Sequence, residues 1–199
     1  MRIPSPSRNV PAIGAPCRGR GFTLVELMVT VAVAAILLVI AVPSFRNIIN
    51  SNRLTTAANA MVNTLNTARM EAIKLNATTQ WCSGAPYQNT DSTGSTADSA
   101  LSAACGTSAG AVVELTGSTA NSLLAAPQLT SPVQLSGYNL GIRFNGQGVG
   151  YWAEDPAKTP LTSNIAVLCA AGLSGNNVIT ISMATGTIVT TTSSAETCR

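Results

Sequence analysis

The amino-acid sequence predicts an α+β protein in which a long N-terminal helix packs on an antiparallel β-sheet domain. An apolar run near the N-terminus continues into a segment with helical periodicity. Short β-prone runs separated by Gly, Asn and Pro make up the rest of the chain. With 199 residues, the chain has room for one modest domain and an appendage.

The first part of the helix is predicted to span a membrane. The apolar run covers residues 22–42, roughly the 20 residues that a helix needs to cross a bilayer. Arg18 and Arg20 precede it and are expected to stay in the cytoplasm. A secretory signal is the alternative, but residues 43–47 lack a small-residue cleavage site. Glu26 also lies within the run, where an unpaired carboxylate costs about 2.5 to 3.5 kcal/mol at mid-membrane and calls for a partner.

The helix is predicted to continue to about Leu75 as an amphipathic half. Pro43 is expected to kink it or to loosen it locally. Apolar residues recur at spacings of four and three, which defines one helix face that we expect to pack on the protein's own sheet. These residues are Leu54, Ala58, Met61, Leu65, Ala68, Ala72 and Leu75.

After the helix the sequence predicts an antiparallel sheet. Asn145–Gly148 and Ala184–Gly186 are predicted hairpin turns. The segment 83–110 is almost entirely Ser, Thr, Ala, Gly, Asn and Asp, so we expect a long polar surface loop. The predicted strands are Thr78–Cys82, Val112–Thr116, Val133–Leu135, Gly141–Phe144, Val149–Ala153, Ile165–Cys169, Val178–Ser182 and Thr187–Thr191.

The composition limits the chemistry that the protein can perform. The chain contains no His, which excludes an imidazole general base, a Ser-His-Asp triad and a His-ligated metal. Carboxylate, Lys and Cys chemistry stay open, but no catalytic constellation stands out. Glu154 and Asp155 precede Pro156, and a solvated turn explains these two acids better than acid-base work or calcium binding. We therefore expect no enzyme activity, no catalytic residue, no metal and no cofactor.

The formal net charge of +3 is concentrated at the N-terminus. Four of the 11 basic residues lie before Gly21, and 11 minus 4 leaves seven basic residues against eight acidic ones in the rest of the chain. Binding of nucleic acid requires clustered Lys and Arg. A chain cut at Gly21 is near neutral, which argues against nucleic acid as a partner.

Five cysteines point to an oxidising compartment. Cys17 lies in the basic N-terminal segment, and the even number that remains fits two disulfide bonds. Of the three possible connectivities we favour Cys82 with Cys105, which closes the polar segment, and Cys169 with Cys198, which ties the C-terminal end to a strand. A zinc site is the competing interpretation, but no CxxC pair supports it.

The residues Gly21-Phe22-Thr23-Leu24-Val25-Glu26-Leu27, followed by the apolar helix, resemble the class III signal of type IV pilins and type II secretion pseudopilins. The resemblance implies that a prepilin peptidase cuts between Gly21 and Phe22 and methylates the new amine of Phe22. It also implies that Glu26 is the partner of the amino group of a neighbouring subunit. In low dielectric, such an acid and amine each relieve the other's desolvation.

The resemblance implies a type IV pilin-like fold divided into four parts. These are a prepilin leader at 1–21, a transmembrane and assembly helix at 22–43, the amphipathic half at 44–77, and a periplasmic β-rich domain at 78–199. The chain is then a single-pass protein of the bacterial inner membrane that is incorporated into a pilus or pseudopilus. The implied partners are other minor and major pilins or pseudopilins, prepilin peptidase and the inner-membrane assembly platform.

The C-terminal pattern of strands around Cys169 and Cys198 is similar to that of the GspH/FimT-like minor pilins and pseudopilins. This similarity implies a minor pilin of a type IV pilus, with pseudopilin H of a type II secretion system as the alternative. DNA binding in natural transformation ranks third. Some members use a GRxR motif for it, and the corresponding Gly186–Val189 lacks both arginines, so no DNA-binding residue is assigned.

Overall fold

The computed structural model describes residues 21–90, 94–137 and 139–198. Apart from Gly21, the predicted leader 1–21 lies outside these residues. The chain divides into two units, residues 1–42 and residues 43–199. One helix, α1 (Leu24–Leu75), contributes to both units, and this confirms the long N-terminal helix that the sequence predicts.

In the first unit, α1 presents apolar side chains at its surface. Every residue from 22 to 40 is exposed. The helix contains a stretch that is long and apolar enough to cross a membrane. By length and composition, this part of α1 therefore fits the predicted membrane-spanning segment.

The second unit contains two antiparallel sheets. The strands of the larger sheet are β1 (Thr79–Trp81), β2 (Val112–Thr116), β3 (Thr119–Leu124), β5 (Ile142–Phe144) and β6 (Gly150–Trp152). The strands of the smaller sheet are β4 (Val133–Leu135), β7 (Ser163–Ala170), β8 (Val178–Ala184) and β9 (Ile188–Ser194). The spatial orders are β3-β2-β1-β5-β6 and β4-β7-β8-β9, and every paired strand is antiparallel to its neighbour.

The predicted strands and turns are largely confirmed. Each of the eight predicted strands overlaps an observed strand, and only β3 was missed. Both predicted turns connect antiparallel neighbours, β5 to β6 and β8 to β9. In the second turn, Thr185 and Gly186 have φ angles of 53° and 67°, as tight hairpins require.

The second part of α1 buries one face against the sheets, as predicted. The prediction was wrong for Leu75, which is 43% exposed. Leu75 is the last helical residue, and the chain turns away immediately after it through Asn76, whose φ is 48°. The buried residues of this face are Leu54, Ala57, Ala58, Met61, Thr64, Leu65, Ala68 and Ala72.

Two hydrogen bonds join β1 to this face of α1. The Trp81 indole is fully buried and its Nε1 donates to Thr64 Oγ1 at 2.8 Å. Thr79 Oγ1 donates to the Ala68 carbonyl at 2.7 Å. Burying a polar group without a partner costs roughly 1 to 3 kcal/mol, so these bonds make the polar members of the interface compatible with the apolar core. Trp81 therefore packs within the sheet and helix core, as expected for a structural aromatic residue.

The segment 83–110 is not a long surface loop, and this corrects the prediction. It contains a short 3₁₀ turn, Pro86–Asn89, and a second α-helix, α2 (Thr96–Cys105). Ser95 caps α2, because its Oγ accepts a hydrogen bond from the Asp98 backbone N–H at 3.2 Å. Leu101 and Cys105 lie four residues apart on one face of α2, and both are buried in a small core with Val113. These two apolar residues bury one face of an otherwise polar helix.

The hairpin between β8 and β9 is held closely against β6. Gly150 N donates to the Gly186 carbonyl at 2.7 Å, and Gly186 N donates to the Leu161 carbonyl at 2.7 Å. A Cβ at position 186 would collide with the Gly150 carbonyl and would lie 2.9 Å from Val149 Cγ1. Because φ at Gly186 is also positive, two separate reasons require glycine here.

We expect Gly186→Ala to lower the free energy of unfolding by about 2 to 5 kcal/mol, since the left-handed backbone costs roughly 1 to 2 kcal/mol and the steric overlap roughly 1 to 3 kcal/mol. Gly117→Ala is the matched control. Gly117 has a φ of 64°, but a Cβ there would meet no atom within 4 Å. The control should lose only about 1 to 2 kcal/mol. Urea unfolding of the full chain in detergent, followed by tryptophan fluorescence, measures both variants, and equal losses would contradict the steric argument.

Candidate functional site

The sequence-predicted site begins at the start of α1. Gly21 and Phe22, the predicted cleavage pair, precede the first helical residue, and Phe22 is 82% exposed. Thr23 caps the helix: its Oγ1 accepts a hydrogen bond from Glu26 N at 3.2 Å, and its carbonyl accepts one from Leu27 N at 3.1 Å. The spacing Thr-x-x-Glu is the sequence signature of a capping box. This local chemistry explains why α1 starts where it does.

Glu26 is the single charged side chain among residues 22–45. It lies in the first turn of α1, where a carboxylate interacts favourably with the positive end of the helix dipole. Its side chain is exposed, so a group from another molecule can reach it. Glu26 is therefore an exposed acid at the N-terminal end of an apolar helix.

Pro43 lies inside α1, at the division between the two units. Helical backbone continues on both sides of it. A proline within a helix removes one backbone donor and crowds the preceding turn. The predicted kink or loosening at Pro43 stays a prediction.

The structure contains two disulfide bonds, and they join the cysteine pairs favoured from the sequence. Cys82 is linked to Cys105 with a Cα–Cα distance of 5.4 Å, and Cys169 is linked to Cys198 with a Cα–Cα distance of 5.7 Å. The first bond connects the residue after β1 to the last residue of α2. The second connects β7 to the segment that follows β9. Each bond closes a separate part of the domain, and the burial of Cys82, Cys105 and Cys169 argues for a structural role.

A buried polar cluster was not predicted from the sequence. Arg143 on β5 forms an ion pair with Asp98 of α2, and its side chain is only 5% exposed. Its Nε donates to Gln80 Oε1 at 2.8 Å, and its Nη2 donates to the Asn89 carbonyl at 3.2 Å. The cluster therefore ties α2 and the 3₁₀ turn to the larger sheet. The available signal was an Arg in the middle of a strand of apolar residues, which needs a buried acid in the fold.

The adjacent acids Glu154 and Asp155 lie in a turn, as predicted. Asp155 accepts hydrogen bonds from the Thr159 side chain at 2.6 Å, the Thr159 N–H at 2.8 Å and the Ala157 N–H at 2.9 Å. These bonds, that of the Thr159 side chain first, lower the pKa of Asp155. Partial burial raises the pKa of Glu154. Among the described residues, no group of three or more His, Cys, Asp or Glu could hold a metal ion.

The hairpin between β8 and β9 contains Gly186–Val189, the stretch that corresponds to the GRxR motif. Arg69 of α1 reaches it, and its Nη1 donates to the Thr187 carbonyl at 2.8 Å. Arg69 is partly buried and is bonded to the backbone of the hairpin. A guanidinium that holds the hairpin in place is poorly positioned to grip a phosphate.

Comparison with protein-family models gives two matches. The prokaryotic N-terminal methylation motif matches residues 17–42, and the family described as type II transport protein GspH matches residues 57–187. Comparison with curated proteins and with solved structures gave no match. The long apolar helix, the methylation motif and the antiparallel sheets define a pilin-like subunit, a minor pilin or a pseudopilin. The GspH match covers more than half of the chain, and the protein belongs to the GspH/FimT family of type IV pilin-like proteins.

Membership of this family implies how the chain is processed and what kind of subunits it assembles with. Proteins of this class are processed by a prepilin peptidase and assemble with other pilin-like subunits. The apolar helix and the methylation motif make this chain a membrane-anchored protein. The family is one of structural subunits, and it is not known for catalysis.

Proposed function

We propose that the protein is a minor pilin that takes part in the assembly of a type IV pilus, or in its tip and priming complex, and so serves adhesion or twitching motility. The observation that carries the proposal is the exposed, apolar first part of α1, which is continuous with the helix of the folded domain. A helix that is apolar on every side is stable in lipid or among other helices. Such a subunit can be anchored in the membrane before assembly and can then enter the core of a filament.

The proposal gives each residue of the N-terminal motif a role. Prepilin peptidase cuts between Gly21 and Phe22 and methylates the Phe22 amine. Glu26 then binds the amine of a neighbouring subunit, because an unpaired acid and an unpaired amine are both costly in low dielectric. Segment 22–43 is the membrane and assembly helix, and Pro43 lets it bend on leaving the membrane. Segments 44–77 and 78–199 form the domain, which faces the periplasm of the inner-membrane precursor.

Pseudopilin H of a type II secretion system is the second candidate, since it shares the signal, the helix and the sheets. The disulfide between Cys169 and Cys198 favours the pilus. It ties down the chain end after the last strand, which protects a domain that is displayed outside the cell. Disulfide bonds persist both in the periplasm and outside the cell, and the protection that they give matters more on a filament that leaves the cell. The pseudopilus of a type II secretion system is a short filament inside the periplasm, so its subunits are less exposed to the surroundings of the cell.

DNA uptake remains the third candidate. The hairpin at Gly186–Val189 carries no arginine, and Arg69 is engaged by the Thr187 carbonyl. Affinity for DNA rises with the number of phosphates that Lys and Arg neutralise. We expect no salt-sensitive binding of DNA to the domain at micromolar concentration, as measured by a gel shift across a salt series.

The proposal is tested by isolating the tagged full-length chain from its native host after mild cross-linking, with mass spectrometry of its partners and of its own N-terminus. We expect a chain that begins at methylated Phe22 and is linked to minor and major pilins. The same isolation from cells that lack prepilin peptidase is the control, and it should yield the unprocessed chain without filament partners.

Other outcomes would change the assignment. Linkage to secretion pseudopilins would move the protein to the type II secretion system. An intact leader in normal cells, or removal of the entire segment 22–42, would contradict a filament subunit of either kind.

A further inference from the structure

A surface groove runs along the second part of α1, beside the segment that follows β3. It has a volume of about 410 Å³ and lies within the unit formed by residues 43–199. One wall is the helix, with Ile49, Arg53 and Ala60, and the other wall is the irregular segment with Pro127 and Gln128. The groove lies outside the N-terminal motif and outside the buried polar cluster.

The helical wall of the groove combines three larger side chains, Ile49, Asn52 and Arg53, with three small ones. Thr56, Ala57 and Ala60 line it, and Ala57 is one of the residues through which α1 also contacts the domain core. Small residues allow the backbone of a second helix to approach closely, as in helix pairs within membranes. A groove of this kind suits an apolar helix better than it suits a polar loop.

The groove also has one fixed charge. Arg53 is exposed, and its Nη1 donates to the Ser131 carbonyl at 2.8 Å, which holds the guanidinium at the groove. A guanidinium has five N–H donors, so this single bond leaves capacity for a carboxylate. Among the residues that line the groove, Arg53 is the one that carries a charge.

The N-terminal helix of a pilin-like subunit has the complementary chemistry. In this chain, residues 24–40 form an exposed apolar stretch of α1 whose single charged side chain is Glu26. The groove has one basic residue, and the candidate occupant has one acid. An apolar helix leaving the membrane also needs a surface that keeps it from water.

We propose that this groove receives the N-terminal helix of a neighbouring pilin-like subunit, and that Arg53 pairs with the carboxylate in the first turn of that helix, at the position of Glu26 in this chain. The inference rests on the proposed function, because it needs subunits that pack through their N-terminal helices. It adds a docking surface on the folded domain and a second partner for the acid besides an N-terminal amine. A carboxylate has two oxygens and can accept from both.

The contact has a direction. Arg53 and the acid lie at different places on α1, so each subunit uses its groove toward one neighbour and its first turn toward another. Contacts of this heterologous kind generate a filament when the rotation between neighbours does not close a ring. The groove therefore contributes to the order in which subunits are added.

The test uses a photoreactive benzoylphenylalanine at Gln128, at the rim of the groove, in the full-length chain in its native host. Asn121, an exposed residue of β3 outside the groove, is the control position. After illumination, mass spectrometry identifies the linked peptide. We expect the Gln128 probe to link to the N-terminal apolar helix of a pilin-like subunit, and the Asn121 probe to give no such link.

Charge variants complete the test. Arg53→Glu should reduce the Gln128 adduct about fivefold or more, because it places like charges together, and Arg53→Lys should retain most of it. Arg46→Glu is the matched control, since Arg46 is exposed on the same helix but does not line the groove. It should leave the adduct unchanged.

The amount of chain that is isolated with pilins is measured in the same cells. If the chain assembles but the Gln128 adduct maps to lipid or to a globular domain, or if Arg53→Glu has no effect, the groove inference is wrong and the proposed function stands. If the chain is not isolated with any pilin-like subunit, the proposed function fails and the groove inference fails with it.

Discussion

Replacing Glu26 with leucine is expected to leave the chain in the membrane and to reduce its incorporation into filaments about 30-fold or more. Removing one partner of a buried charge pair costs roughly 2 to 5 kcal/mol, because the other charge is left unpaired, and every 1.4 kcal/mol is a factor of ten. The same change makes residues 22–42 wholly apolar and so favours membrane insertion. Loss of assembly together with normal insertion identifies a contact between subunits. Membrane fractionation and quantification of the chain in sheared filaments measure the two effects separately.

Two controls accompany the Glu26 experiment. Glu114→Leu removes a partly exposed acid of the domain and should leave assembly unchanged. Thr23→Val removes the Oγ1 that accepts from Glu26 N, and it tests whether the helix cap alone matters. Normal assembly of Glu26→Leu would show that the acid is an incidental feature of the helix end.

Asp98→Asn is expected to lower the free energy of unfolding by about 3 to 5 kcal/mol, since it removes the carboxylate that pairs with the buried Arg143 guanidinium. Domains of this size are stable by only about 5 to 15 kcal/mol, so the variant should be close to unfolding at 37 °C. The ion pair joins α2 to the larger sheet, and we expect α2 to detach first. Urea unfolding of the full chain in detergent and limited proteolysis between residues 94 and 106 measure the two effects.

A second substitution distinguishes the lost pairing from a simple loss of contacts. Arg143→Gln in the Asp98→Asn background removes the buried charge that Asp98 pairs with, and it should recover part of the stability. Glu114→Gln, on β2 of the same sheet, should change the free energy of unfolding by less than about 0.5 kcal/mol. A double variant that is as unstable as the sum of its two single variants would contradict a charge pair.

The long helix and most strands were predictable because their signals are local. The apolar run and the spacing of Leu54, Met61 and Leu65 identify α1, and alternating β-branched residues between turn residues identify β7 and β8. The division into two sheets is not a local property. It depends on which strands pair across the chain, as when β1 lies between β2 and β5.

The second helix was missed because its composition is typical of a loop. Only Leu101 and Cys105 mark its buried face, and the segment 95–106 is otherwise Ser, Thr, Ala, Asp and Gly. Its signals were present but brief, with Ser95 as a capping residue and Gly106 just after the helix end. The burial of Asp98 against Arg143 favours a packed helix over a surface loop, and tertiary contacts of that kind are not visible in a sequence.

The N-terminal motif and the groove differ in how well the sequence reveals them. Glu26 is conspicuous because a charge in an apolar run is rare, and its role stays a prediction. The groove is made of residues that look ordinary in sequence, such as Thr56 and Ala60, and of a loop some 70 residues further along the chain, with Pro127 at its edge. Only folding brings these together.

The buried face of α1 has a mechanical consequence. A pull that reaches residues 43–75 of α1 acts on the face that carries Leu54, Met61 and Leu65. The packing between this part of the helix and the sheets then carries the load. The force that the domain withstands at this point is therefore set by that buried face and by the bond between Trp81 and Thr64.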